Sequence, residues 1–111
     1  MIEAVCDCGS VRLEVAEAPS EIWECLCDGC QKMGVNWAYY HPSQVKVIAA
    51  PGSMTAYQRA SKTQDFVFCS TCGCTTHWQS HNPDDDTFGV NARLMPRAVR
   101  ATAKLRTADG P

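Results

Sequence analysis

Cys25-Leu26-Cys27-Asp28-Gly29-Cys30 presents three thiols within one turn of chain, and the groups Cys6-Asp7-Cys8-Gly9 and Cys69-Ser70-Thr71-Cys72-Gly73-Cys74 hold the rest of the chain's 8 cysteines. Thiolates at Cys-x-Cys or Cys-x-x-Cys spacing meet one ion from a single turn, and zinc takes about four ligands at roughly 2.3 Å for sulfur. Cys6, Cys8, Cys69 and Cys72 supply four from distant parts of the chain. They suit a closed structural zinc site that ties an N-terminal strand to a later hairpin. The middle group supplies only Cys25, Cys27 and Cys30, and a zinc held by three protein ligands keeps a position open for water or substrate, as catalytic sites do. Iron–sulfur binding or a disulfide is the alternative for the first set. Reactive thiols, a redox pair or a second closed site completed by Cys74 are the alternatives for the second. Glycines 9, 29 and 73 are expected to supply the positive φ angles that such turns use.

The elements that must position these thiols read as short strands. Val11, Leu13 and Val15 alternate with Arg12 and Glu14, the period of a half-buried strand. Further candidates are Glu21 to Cys25, Trp37 to His41, Val45 to Val47, Met54 to Gln58, Asp65 to Cys69, Thr75 to Gln79 and Thr87 to Ala92. Asn82 to Asp86 is a turn. Strands at intervals of roughly ten residues predict a mainly β domain of small sheets rather than alternating helices and strands. Met95 to Arg106 is ambiguous: Arg97, Arg100 and Lys104 have helical spacing, but Pro96 and β-branched residues oppose a helix.

At 111 residues the chain is expected to form one domain, 1–111, whose modest core calls for reinforcement. A formal charge of -2 gives no general drive toward nucleic acid or anionic membrane. No stretch approaches the 18 or so apolar residues of a membrane span, and the first residues lack a leader pattern. The expected compartment is cytoplasmic, where thiols stay reduced and clustered cysteines bind metal. His41, His77 and His81 are candidate fourth ligands or proton carriers, though a structural or surface role is the simpler reading for each. Trp23, Trp37 and Trp78 fit core or pocket wall, and Asp84 to Asp86 a solvated turn.

Taken together, Cys6-x-Cys8-Gly9-x-Val11, Cys25-x-Cys27-x-x-Cys30 and Phe68-Cys69-x-x-Cys72-Gly73, with looser support from Met54-x-x-Tyr57, resemble the glutathione-dependent formaldehyde-activating enzyme family, which includes centromere protein V. The resemblance implies a small zinc-stabilised β-sheet domain of the Mss4-like kind. It implies structural zinc at Cys6, Cys8, Cys69 and Cys72, and catalytic zinc at Cys25, Cys27 and Cys30; a zinc held by three thiolates is expected to be labile toward an incoming thiol. The activity implied is that of a carbon-sulfur lyase, joining glutathione and formaldehyde as S-hydroxymethylglutathione or cleaving that adduct. A non-catalytic zinc-stabilised binding module is the alternative. The family's central motif usually reads Cys-His-Cys, whereas Leu26 stands at the middle position here. The expected partner is a small-molecule thiol adduct, with no nucleic acid or membrane and with a homodimer allowed. Recognition of glutathione's two carboxylates would recruit cations, of which Arg59, Lys62, Arg93 and Arg97 are available.

Overall fold

In the computed structural model, which describes residues 1–59 and 62–109, ten strands form two sheets. The smaller sheet has the order β1-β2-β5, from β1 (Ile2–Val5), β2 (Val11–Val15) and β5 (Val45–Ala49). The larger has the order β10-β3-β4-β9-β8-β7-β6. Its members are β3 (Glu21–Cys25), β4 (Trp37–Tyr40), β6 (Met54–Gln58), β7 (Gln64–Cys69), β8 (Thr75–Ser80), β9 (Phe88–Asn91) and β10 (Lys104–Ala108). Every pairing is antiparallel except β10 on β3. The mainly β expectation holds, and no helix among the described residues is long and apolar enough to cross a membrane.

Alternation decides what each strand face buries. Val11, Leu13 and Val15 are fully buried while Arg12 is exposed, and they pack with Ala4, Ala38, Tyr40, Val90 and Met95 into the main core. On β4, Ala38 and Tyr40 join that core while Trp37 points through the opposite face, into a second cluster with Cys25, Cys30, Val35 and Phe66. Trp37 is 1% exposed, and burying a side chain of that size contributes about 2–3 kcal/mol, anchoring the second cluster to the sheet.

Two features depart from the sequence reading. The middle cysteine group is not a simple turn: α1 (Asp28–Met33) is a short helix capped by the Cys27 sulfur and closed by Gly34 at φ 65. The ambiguous C-terminal stretch divides into α2 (Arg97–Ala101) and β10. Pro96, with its ring-fixed φ, suits entry to a helix, while the Leu105 to Ala108 run pairs in parallel with Ile22 to Cys25 of β3.

Candidate metal centres and their pockets

The first cysteine set is built from two loops. After β1, Gly9 at φ 83 turns the chain so that the Val11 amide donates to Cys6 Sγ at 3.3 Å. At the end of β7, a register shift between Val67 and Phe68 offsets the pairing with β8, while Cys69 stays opposite Met54 of β6. Gly73 at φ 82 then returns the chain, with the amides of Thr71 and Cys72 donating to Cys69 Sγ at 3.4 and 3.5 Å. These are the positive-φ turns expected of Gly9 and Gly73.

The four sulfurs of Cys6, Cys8, Cys69 and Cys72 lie within 4.8 Å of one another. Cys6 Sγ to Cys8 Sγ is 3.8 Å and Cys8 Sγ to Cys69 Sγ is 3.6 Å. A tetrahedron with ligands at about 2.3 Å has edges of about 3.8 Å, so the donor set fits one thiophilic ion. Amide donors and neighbouring sulfurs split the thiol acidities. Hydrogen bonds from the backbone of Cys74 and Cys8 bring Cys72 down to about 6, while burial pushes Cys6 up to about 11.

Cys25, Cys27 and Cys30 also converge, with sulfurs within 4.8 Å of one another. Cys25 ends β3, Cys27 caps α1, and Cys30 lies in its first turn. The Cys30 amide donates to Cys27 Sγ at 3.4 Å, and Trp37 Nε1 donates to Cys30 Sγ at 3.3 Å. Burial pushes the Cys30 thiol up to about 12. At Cys27 burial acts the same way, but hydrogen bonds from the Cys30 amide, from the Cys30 and Cys25 thiols and from Arg59 outweigh it and bring the thiol to about 7.

The triad floors an open cavity of about 200 Å³, walled by Trp37, Tyr39, Phe66 and Trp78. Gly89, paired with both Tyr39 and Trp78, makes the wall possible, because a Cβ there would overlap the Trp78 indole. Arg59 and Gln64 bring polar groups to the cavity. The Arg59 guanidinium stacks 4.3 Å above the centroid of Phe66 and sets Nη2 3.8 Å from Cys27 Sγ. Burial, followed by the nearby cysteine charges, raises Tyr39 to about 12, which keeps its hydroxyl a hydrogen-bond donor.

Gly29 departs from the positive-φ expectation. It lies in α1 with no positive φ, and a Cβ added to it would sit 2.8 Å from Arg59 Nη2. Its absent side chain makes room for the guanidinium.

The other candidate residues lie elsewhere. His77 is 2% exposed, stacked on Phe88 and hydrogen-bonded to Thr76 Oγ1 at 2.8 Å; it belongs to neither cysteine set, and burial lowers it to about 4. His41 caps the 3-10 turn Pro42–Gln44, and His81 pairs with Asp65 at 2.8 Å on the surface. Cys74 packs at the edge of the main core and donates its amide to Cys72, so it stands beside the first set and does not close the triad. Of the four candidate cations, Arg59 alone lines the triad cavity, and Arg93 lines a separate cleft.

Comparison with known proteins follows the same lines. The model for the glutathione-dependent formaldehyde-activating enzyme family matches residues 1–109. The chain belongs to that family. A crystal structure of a Rhodobacter sphaeroides protein superposes with a TM-score of 0.77 at 29% sequence identity, covering 96% of this chain and 99% of that one. The family gives the chain a glutathione- and formaldehyde-related setting, and its two cysteine clusters could each hold a metal ion.

Proposed function

We propose that this family member is a zinc-dependent carbon-sulfur lyase that makes or breaks the bond between a glutathione-type thiol and formaldehyde, with Cys25, Cys27 and Cys30 as its catalytic metal ligands and Cys6, Cys8, Cys69 and Cys72 holding a structural zinc. The observation that carries the proposal is the contrast between the two clusters: one has four thiols and is complete, whereas the other has three at the floor of an open, aromatic-walled cavity. A zinc ion bound by the triad would supply a Lewis-acid centre with a position left for a sulfur or oxygen ligand.

The chain's own residues then divide the work. In the cleavage direction the adduct R–S–CH2–OH gives up its hydroxyl proton, the C–O bond becomes the carbonyl of formaldehyde, and the C–S electron pair leaves on sulfur as thiolate. Arg59, held on Phe66 with Nη2 beside Cys27 Sγ, keeps a positive charge where that sulfur charge develops. The rings of Trp37, Phe66 and Trp78 exclude water from the reacting end, which strengthens the interaction with Arg59. Tyr39 Oη, still protonated, donates a hydrogen bond to the hydroxymethyl oxygen and orients it. Trp37 Nε1 fixes the Cys30 thiolate so that the triad geometry survives turnover. No imidazole lines the cavity, since Leu26 occupies the middle of the motif, half exposed, and His77 is buried elsewhere. The hydroxyl proton therefore passes to solvent, while the Tyr39 hydroxyl only donates to and orients the oxygen.

The test is exchange spectroscopy by NMR on glutathione mixed with formaldehyde, which reads adduct formation and cleavage together. Acceleration by the parent protein that is lost in Cys27→Ser, with the fold intact, supports the proposal. An unaccelerated exchange in zinc-replete protein points instead to the non-catalytic module.

A further inference from the structure

Back to back with the triad cavity, across β3 and β4, lies a second cleft that shares none of its residues. Ile22 lines the second cleft and Cys25 the first, and their odd spacing along β3 sends them to opposite faces; Asn36, just before β4, lines the second while Trp37 of β4 lines the first. The α2–β10 segment contributes Arg100, Ala103 and Leu105 to its lining, and Arg93 lines it as well. The cavity is about 160 Å³.

Its charge arrangement is unusual for a chain of formal charge -2. Two guanidinium groups, Arg93 and Arg100, face one cleft that no Asp or Glu lines. The ion pairs among the described residues are Arg12–Glu3, His81–Asp65 and Arg106–Glu21, and none involves either arginine. Arg100 Nε is buried with no hydrogen-bond partner among the described residues. The backbone amides of Asn36 and Arg93 donate to Asn91 Oδ1, but neither side chain has a hydrogen-bond partner among the described residues. A buried donor without an acceptor costs about 1–3 kcal/mol, and two like charges converging on one cleft add repulsion. An anion held between the two guanidinium groups offsets that repulsion.

We infer that this cleft is a binding site for a small oxyanion, a carboxylate or a phosphate, held between Arg93 and Arg100 with the Asn36 amide beside it. The apolar walls, Ile22, Ala103 and Leu105, leave room for a short hydrocarbon body but contribute no further polar group. The site is independent of the proposed lyase reaction, since it needs neither the triad nor its metal.

The experiment is a pair of amide and arginine side-chain NMR titrations of the reduced, metal-replete protein, one with inorganic phosphate and one with butyrate, at ionic strength held constant with chloride. Saturable shifts centred on Asn36, Arg93, Arg100 and Ala103, and on the Arg100 Nε–H signal, are expected for at least one anion. The anion that saturates identifies the source chemistry as phosphoryl or carboxylate. Affinity should fall about tenfold or more in Arg100→Met, corresponding to about 1.4 kcal/mol. Should that variant fail to fold, Arg93→Met, altered at an exposed side chain, must show the loss. Shifts that rise linearly without saturating, shifts spread over all surface Lys and Arg, or unchanged affinity in a folded arginine variant would overturn the inference.

Discussion

Substituting Gly29 by Ala separates the proposed role of Arg59 from the stability of the fold. The new methyl would sit 2.8 Å from Arg59 Nη2 and 3.2 Å from Cζ, so the guanidinium must move by roughly 0.6 Å or more to regain ordinary contact near 3.4 Å. Its 3.8 Å approach to Cys27 Sγ has no slack to absorb that shift, and neither has its 4.3 Å stack on Phe66. A half-buried cation–π contact is worth about 0.5–2 kcal/mol and a hydrogen bond to a charged group about 1.5–3. Losing a fraction of both predicts a transition-state penalty of about 1–2 kcal/mol, or about 5- to 30-fold in kcat/KM. Stability should change little: the lost Arg59 contacts are offset by Ala in place of Gly inside a helix, which contributes about 0.5–1 kcal/mol, and the displaced atoms are the free end of a flexible side chain. The assay is therefore thermal unfolding alongside adduct exchange with glutathione and formaldehyde, for Gly29→Ala, Arg59→Met and the double variant. A little-changed Tm with activity down in both singles, and little further loss in the double, is expected. Gly29→Ala activity within about twofold of the parent would refute the placement of the guanidinium in the reaction.

Other consequences separate the two clusters and the buried histidine. Cys72→Ser should unfold the domain, because a structural zinc contributes about 10–16 kcal/mol against a total stability of about 5–15; Cys27→Ser should remain folded by circular dichroism while losing activity and one metal. Trp37→Phe keeps the ring but removes the 3.3 Å donor to Cys30, so metal competition assays should show the triad weakened by about 1 kcal/mol and the four-cysteine set unchanged. His77 takes up a proton near 6.5 when unfolded but only near 4 when folded, so between these values the unfolded chain binds more protons. Stability is therefore full above about pH 6.5 and falls as pH drops toward 4, by up to about 3 kcal/mol, in denaturant titrations. His77→Gln should flatten that pH dependence relative to the parent, a comparison that cancels any loss of metal common to both.

The strand ladder was legible because burial follows the period of two: Val11, Leu13 and Val15 are inward on β2, and Ala38 and Tyr40 on β4. Cysteine spacing was equally legible, since a short turn forces its two sulfurs together whatever the surrounding fold; Cys6 with Cys8 and Cys69 with Cys72 needed only a topology that joins them. α1 was hidden by its brevity, as six residues containing a glycine carry no amphipathic pattern and the helix is stabilised by the Cys27 cap and by packing of Cys30. Nothing local marks Arg59 among the cations. Its place depends on the β6–β7 register, which sets Tyr57 opposite Phe66, and on the gap left by Gly29. Tyr39 likewise reads as one more strand residue, although alternation from the buried Trp37 would have put it on the triad face. The parallel docking of β10 on β3 joins segments about eighty residues apart, a pairing that no local signal encodes.

Two metal sites of different character are the centre of this account, and native mass spectrometry of protein purified under reducing conditions, before and after adding glutathione, tests them most directly. The expected result is two zinc ions per chain, with one lost or gaining a glutathione adduct and the other unresponsive. Arg59→Met should weaken the response, and Cys27→Ser should retain only the unresponsive ion. A single zinc that ignores glutathione, or two that do so, would contradict an open triad site and with it the proposed lyase.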